Sequence, residues 1–324
     1  MRRLLLPILL CASLLPGAAS AQAEAPYPSR PIRMVVPFAA GGAADLVARI
    51  TAQGMQEEMG QAVVVENRGG SGGVIGTEAA LAAAPDGYTI IFHSMSSAVL
   101  NAGLYRNLSF DIHRAFAPIA LVGTVPNIVV VNPRVPAHSL QELIALLRRE
   151  PGRHSYASSG AGTIVHLSSH LLTSMAGVEM VHVPYRGSGP AMNDLIAGTV
   201  DMMVDTLPTV IPFVRSGQLR ALAMSTRSRA AVLPDVPTAE EAGLPGYETY
   251  NWHAVFAASA VPPAIRERLE RGTIAAIRAP ATMRRLADVG VEPRGTGAAE
   301  LAEFWDAQLA LWIPIIRASG ATAD

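Results

Sequence analysis

The sequence predicts an α/β protein of two domains facing each other across a cleft. Three observations carry this. A short apolar strand, a glycine turn and a helix follow one another between Ile32 and Arg49, and the same unit returns between Ser155 and Met175. Around the first copy the order is strand–helix–strand–helix–strand, which predicts a parallel sheet with right-handed crossovers. Between the copies lies Pro118–Asn132, P-I-A-L-V-G-T-V-P-N-I-V-V-V-N, two β-rich runs broken at Gly123-Thr124-Val125-Pro126. A long bent strand of this kind suits a chain crossing from one domain to another.

Residues 1–23 read as a cleavable signal peptide. Arg2 and Arg3 form a charged start, and Leu4–Leu15 is an apolar run shorter than the ~20 residues a membrane-spanning helix needs. Ala19-Ser20-Ala21 and Ala21-Gln22-Ala23 both suit a signal peptidase. Cys11, the only cysteine, falls in this segment. The mature chain is therefore expected to be exported, without disulfides, a thiolate metal site or a cysteine nucleophile. Half of the 324 residues are hydrophobic, 16% are charged, and the net charge is -1. The remaining length of about 300 residues is enough for one large or two ordinary α/β domains. No Lys/Arg run marks a nucleic-acid footprint, and no later segment is long and apolar enough to cross a membrane.

The elements follow from pattern and punctuation. Met34, Val35 and Val36 are the first strand, Gly41-Gly42 the turn, and Asp45 opens a helix whose Leu46, Val47 and Ile50 share a side. Gly60 is its C-cap. Val63–Val65 is the second strand, Glu66–Gly73 a sharp loop and Val74–Ala84 a helix ended by Pro85-Asp86-Gly87. Tyr88–Phe92 is the third strand, followed by the polar loop His93–Ser97. After the crossing, Ser139 caps a helix that ends near Pro151-Gly152. Strand Ser155–Ser159, turn Gly160–Thr163 and helix Ile164–Met175 repeat the organising unit. Strand Met180–Val183, loop Pro184–Pro190, helix Ala191–Ala197, strand Val200–Val204 and helix Leu207–Arg215 follow. Leu219–Met224 is β-like and suits the return crossing. Pro234–Gly246 is a proline-rich connection and Tyr250–Ala257 another strand, with helices at Pro263–Arg278, Ala281–Val289 and Ala298–Ser319.

The two strand–glycine–helix units are candidate anion cradles. A helix start has unpaired N–H donors and the positive end of the helix dipole, and a glycine turn lets a ligand come close. A cleft faced by two such helix starts, beyond the carboxyl ends of the strands, suits a small carboxylate. Asp45 has two readings, a cap paired with Arg49 one turn on or a ligand contact. Thr163 caps its helix, donates to a ligand, or does both. Asp205 caps the following helix or accepts from a ligand hydroxyl or amine. Phe38 and Trp252 read as core near strand ends. His166 and His170 share a helix face, but H-L-S-S-H lacks the glutamate of a zinc helix and no third ligand can be named.

One enzyme reading competes. Gly69-Gly70-Ser71-Gly72-Gly73 is a formal G-x-S-x-G between a strand and a helix, as a hydrolase nucleophile elbow requires. Asp201 or Asp205 and then His253 supply a triad in chain order. A nucleotide cofactor is not expected, because neither G-x-G-x-x-G in the first loop nor G-x-x-x-x-G-K-[ST] anywhere occurs.

The chain resembles the Bug-type periplasmic receptors of tripartite tricarboxylate transporters. The resemblance runs from about Tyr27 to the C-terminus. It rests on Y-P-S-R-P-I-R-M-V-V-P-F-A-A-G-G-A-A-D-L-V-A-R, G-Q-A-V-V-V-E-N-R-G-G-S-G-G-V-I-G, A-P-D-G-Y-T-I, Y-A-S-S-G-A-G-T-I-V-H-L, V-H-V-P-Y-R-G-S-G-P-A and L-P-D-V-P-T-A-E-E-A-G-L-P-G-Y, in this order. It implies a two-domain Venus-flytrap fold of the type II periplasmic class. The domains would run 24–124 with 248–324, and 125–247. It further implies a periplasmic solute receptor, not an enzyme, that delivers a small carboxylate to a permease of a large and a small membrane subunit. A monomer without cofactor or metal is expected, since the receptor must open and close. A receptor signalling to a sensor kinase would use the same cleft.

In that family two loops pinch the carboxylate through backbone N–H groups and waters. Carried over, the first loop holds Phe38, Ala39, Gly41, Gly42, Ala43, Ala44 and Asp45. The second holds Gly160, Ala161, Gly162 and Thr163 with His166 behind, and Ser96, Ser97 and Asp205 line the same cleft. Three residues depart from the family pattern: Ala44 for Ser or Thr, His170 for Glu, and Asn193 for an acid or Thr. The resemblance places the last two away from the ligand, whereas Ala44 removes a hydroxyl donor beside it.

Overall fold

The structure is a computed structural model and describes residues 27–319 and 322–323. The signal-peptide reading and Cys11 lie outside these residues. The chain begins with β1 (Ile32–Val36), α1 (Ala43–Met59), β2 (Val63–Asn67), α2 (Val74–Leu81) and β3 (Thr89–Ser94). β1 pairs in parallel with both β2 and β3, as the strand–helix alternation requires. Ile32, Met34 and Val36 pack against Val47, Ala48 and Met55 of α1, while Val35 joins the cluster on the other face. The strand is buried on both faces, so it reads as one apolar run rather than as an alternation. Each such fully buried side chain contributes roughly 1.5–3 kcal/mol, more than any single cap. Gly60 ends α1 in the left-handed conformation with its N–H on Gln56 O, 3.0 Å away.

The polar stretch after β3 is more ordered than its composition suggests. β3 runs on through His93 and Ser94, and Ser96–Leu100 forms a wide π-type turn leading into α3 (Asn101–Leu104). The short α4 (Ile112–Ala115) is capped by Asp111 and feeds β4 (Phe116–Val131), one strand of 16 residues. The apparent break at Gly123–Pro126 is no interruption. Gly123 is there because a Cβ would run into Glu292 O of a neighbouring strand. β4 changes sheet along its length: Phe116–Pro126 belong to the first sheet and Asn127–Val131 to the second.

The second sheet is built from α5 (Leu140–Arg149), β5 (Ser155–Ser158), α6 (Ile164–Ala176), β6 (Val181–Pro184), α7 (Ser188–Ala197), β7 (Met202–Thr206), α8 (Leu207–Arg215) and β8 (Arg220–Met224). Ser139 Oγ accepts Glu142 N–H at the start of α5, the cap expected from sequence. β5 pairs in parallel with β6 and β7. β8 is not the return crossing: it pairs antiparallel with the second half of β4, and the chain returns only after it. α7 begins one turn earlier than expected, at Ser188, and β7 extends to Thr206, so Asp205 lies inside the strand.

β9 (Tyr250–Ala258) rejoins the first sheet between β3 and the first half of β4. α9 (Pro263–Arg278), α10 (Pro280–Asp288), β10 (Glu292–Thr296) and α11 (Ala298–Ser319) complete the chain. β10 escapes pattern reading because Pro293 and Gly295 interrupt it. It is an irregular antiparallel partner of β4, a position where proline is tolerated. The result is a two-domain α/β fold of the Venus-flytrap kind, with strand order β2-β1-β3-β9-β4-β7-β5-β6 across both sheets. Where β4 changes sheet, Ser225 N–H and Oγ donate to Asn127 O, and Thr249 N–H donates to Ser225 O. Among the described residues no helix is long and apolar enough to cross a membrane.

Candidate functional site

The loop after β1 brings Pro37–Gly42 over the edge of the first sheet. Gly41 takes a positive φ of 87°, and Gly42 is the extended N-cap of α1. Asp45 turns its carboxylate back onto Gly41 N–H at 3.1 Å and pairs with Arg49 at 2.9 Å. It thereby holds the glycine turn ahead of the helix. The corresponding turn of the second domain is held by Thr163, whose Oγ1 accepts His166 N–H and donates to Gly160 O at 2.8 Å.

The two domains meet at these turns, largely backbone against backbone. Ala39 N–H donates to Arg186 O across the cleft at 3.2 Å. Ala43 N–H, in the first turn of α1, donates to Thr209 Oγ1 of α8 at 2.9 Å. In reciprocal fashion, Ile164 N–H, in the first turn of α6, donates to Ser96 Oγ of the first domain at 3.0 Å. Each helix start is thus met by a hydroxyl from the opposite domain. Apart from His166 N–H, which Thr163 Oγ1 takes, the remaining first-turn N–H groups have no acceptor within their own helix.

Between the turns lies a narrow cavity of about 30 Å³. The first domain lines it with Phe38, Gly42, Ala43, Ala44, Ser94, Ser96, Asn251 and His253, and the second with Ser159, Ile164, Val165, Ser188, Asp205 and Thr206. Four helix N-termini, those of α1, α6, α7 and α8, contribute their N-cap or first-turn residues. None of the lining residues is Lys or Arg. The positive potential there comes from dipoles and N–H groups.

Two titratable side chains line the cavity, and both are buried. Asp205 is fully buried, and its Oδ1 accepts from Thr206 N–H at 2.6 Å and from the Thr206 and Ser188 hydroxyls at 3.1 Å each. Its Oδ2 has no partner. Burial pushes its pKa up to about 6, although these three hydrogen bonds pull it down. His253 stacks on Phe92, and neither ring nitrogen has a partner. Burial lowers its pKa to about 3, so it is neutral at physiological pH.

Of the residues singled out from sequence, Phe38, Gly42, Ala43, Ala44, Ser96 and Asp205 come together around this cavity. Ala39, Gly41, Asp45 and the turn Gly160, Ala161, Gly162 and Thr163 are not among the lining residues. Ser97 binds His93 Nδ1 and Ser94 instead. His166 accepts Gly162 N–H at Nδ1 and stacks on His182, with ring centroids 3.9 Å apart. His170 and Asn193 are exposed and outside the lining. Among the described residues no three His, Cys, Asp or Glu side chains gather to hold a metal.

Sequence reasoning missed Ser94, Ser159, Ser188, Thr206, Asn251 and His253 as lining residues, and Thr209 and Arg186 as partners of the first loop. Part of the signal was readable. Tyr185–Pro190 is itself a strand–glycine–helix junction, and Asn251 and His253 alternate on one face of β9.

A model of the tripartite tricarboxylate transporter family receptor matches residues 47–321. The chain belongs to this receptor family. Protein BugT of Bordetella pertussis is 37% identical over 307 residues, covering 94% of both chains. An R. palustris protein solved with adipate is 34% identical, with a TM-score of 0.87 over 91% of this chain and 99% of its own. MatC of Rhodopseudomonas palustris, solved with bound malate, is 31% identical, with a TM-score of 0.84 over 90% and 100%.

The receptor does not assemble the hydrolase triad. Ser71 is exposed in a tight turn with a positive φ of 46° and does not line the cavity. Asp201 holds Ser155 N–H, Asp205 is held by Thr206 and Ser188, and His253 bonds to neither. No described base stands within hydrogen-bond reach of the serine, which a Ser nucleophile requires.

Proposed function

We propose that this receptor works in the periplasm, not as an enzyme. It binds a small carboxylate between domains comprising 24–124 with 248–324, and 125–247. It then presents the closed form to a permease of one large and one small membrane subunit. The carboxylate is held by first-turn N–H groups of α1 and α6, with Phe38, Gly42, Ala43, Ala44, Ser96 and Asp205 around it. Gly41, Asp45, Ser97, Thr163 and His166 hold the two loops in place. The carrying observation is the convergence of four helix N-termini on a cavity that no Lys or Arg lines. Such a site favours an anion without a fixed counter-charge. The relatives solved with adipate and with malate support the ligand class.

Three or four charge-assisted hydrogen bonds of about 1.5–3 kcal/mol each supply most of the roughly 8 kcal/mol of a micromolar complex. The test is thermal unfolding of the mature protein against a panel of carboxylic acids and their amides. A true ligand at a hundredfold excess over Kd stabilises the folded state by about 2.7 kcal/mol, and its amide gives no shift. A midpoint raised by a neutral solute and by no acid would overturn this reading.

A further inference from the structure

Asp205 does something that the carboxylate reading leaves unexplained. It is the only acid among the described residues that line the cavity, and it sits with helix N-termini at a site suited to an anion. Three donors, Thr206 N–H and the Thr206 and Ser188 hydroxyls, converge on its Oδ1. They fix the carboxyl plane, so the side chain cannot turn away. The other oxygen, Oδ2, is fully buried and without a partner. A buried carboxylate oxygen without a donor is costly, and no Lys or Arg of the lining can reach it. Across the cavity His253 is the other titratable group among the described lining residues. Its ring is neutral and also unpartnered.

We propose that Asp205 reads the group beside the ligand's carboxylate, and that this group is a hydrogen-bond donor, a hydroxyl or an ammonium. The inference rests on the carboxylate reading above and narrows it. The ligand's carboxylate takes the helix N–H groups, and its neighbouring donor completes Asp205 Oδ2. An unsubstituted acid leaves Oδ2 as it is. A second carboxylate at that point would set two like charges together with no cation between them.

The experiment is calorimetric binding of the mature receptor to acids that differ only in that donor. Succinate is compared with malate and aspartate, and butyrate with 2-hydroxybutyrate and 2-aminobutyrate. At pH 7.5 the substituted member of the binding series is expected to bind about tenfold or more tightly than the unsubstituted one. Asp205→Asn, which keeps the Oδ1 bonds in shape, is expected to erase that preference. The unaltered protein offers a second readout. Since the Asp205 carboxyl titrates at about 6, lowering the pH from 7.5 to 5.5 reduces its ionised fraction, and with it the preference, by roughly fourfold. His253 does not titrate in that window. Unsubstituted acids binding as tightly as their substituted partners would overturn this inference and leave the carboxylate receptor standing. So would a preference that survives Asp205→Asn or acidification. If no carboxylate binds at all, both readings fall together.

Discussion

Gly189 lies against the loop after β1 of the opposite domain. A Cβ built there would run into Ala40 O and stand 3.3 Å from Gly41 Cα, all in the opposite domain. Nothing within its own domain is that near. Its backbone is not in the left-handed region, so alanine fits the separate domain without strain. Gly189→Ala is therefore expected to leave the unliganded unfolding midpoint nearly unchanged while weakening ligand binding by about tenfold or more. Calorimetry and a thermal scan together check both halves. Gly76→Ala is the contrast. Its Cβ would lie 2.5 Å from Pro37 Cα and from Arg68 O, in its own domain, so it should lower stability by about 1–3 kcal/mol. At this scale the sequence shows that Gly41 and Gly42 form a turn but hides what they face. The nearest neighbours of Gly42 across the cleft are Ser188 and Gly189, and nothing local to either segment encodes that meeting. The family resemblance implies His166 behind the second loop and Ser97 along the cleft. Their hydrogen bonds, to His93 for Ser97 and to Gly162 for His166, give them work in holding the loops.

β4 and the return segment define how one domain can move on the other. At their crossing, Asn127 Nδ2 donates to Ser168 Oγ at 3.1 Å and to Thr249 Oγ1 at 3.0 Å, while Ser225 bridges the two backbones. All four residues are buried or nearly so. Asn127→Ala removes two bonds and leaves two buried hydroxyls short of a donor. The expected cost is about 1–3 kcal/mol, read as a lower urea midpoint with an unchanged slope. A midpoint that does not move would mean the crossing is held by strand pairing alone. The same elements show why the fold was mostly legible. α1, α8 and α9 carry apolar periodicity, caps or prolines at their starts, and their bounds follow from those signals. β8 and β10 do not, because a β-rich run cannot say which partner it will choose. β8 read as a crossing and joined the second sheet instead, while β10, interrupted by Pro293 and Gly295, was not recognisable as a strand at all.

Acidification tests the molecule as a whole. His93 and His253 are buried on adjacent strands, and burial lowers both to about 3. Free in an unfolded chain, each takes up a proton near its ordinary value of about 6.5. Between these values the unfolded state binds about two more protons than the folded one, so these groups make stability fall as pH falls. Asp205 has the opposite sign. Its folded value of about 6 lies above its ordinary one, so between roughly pH 6 and 4 the folded state holds the extra proton and gains stability. At pH 5 the net difference is about one proton. From these three groups alone stability should therefore drop by about 1.4 kcal/mol per pH unit there, and more gently between pH 7 and 6, where the histidines of the unfolded chain are only partly protonated. His166, its pKa lowered to about 4 by burial and by His182 and His170, adds nearly one more proton at pH 5 in the same direction, so the full slope expected there is about 2.7 kcal/mol per pH unit. Urea unfolding of the unliganded receptor at pH 7, 6 and 5 measures the slope. A flat profile would mean that the two strands let water reach the rings. With a carboxylate bearing a donor bound to Asp205, the carboxyl should stay ionised to lower pH. Its opposing contribution is then lost, and the complex should lose stability more steeply with acid than the free protein does.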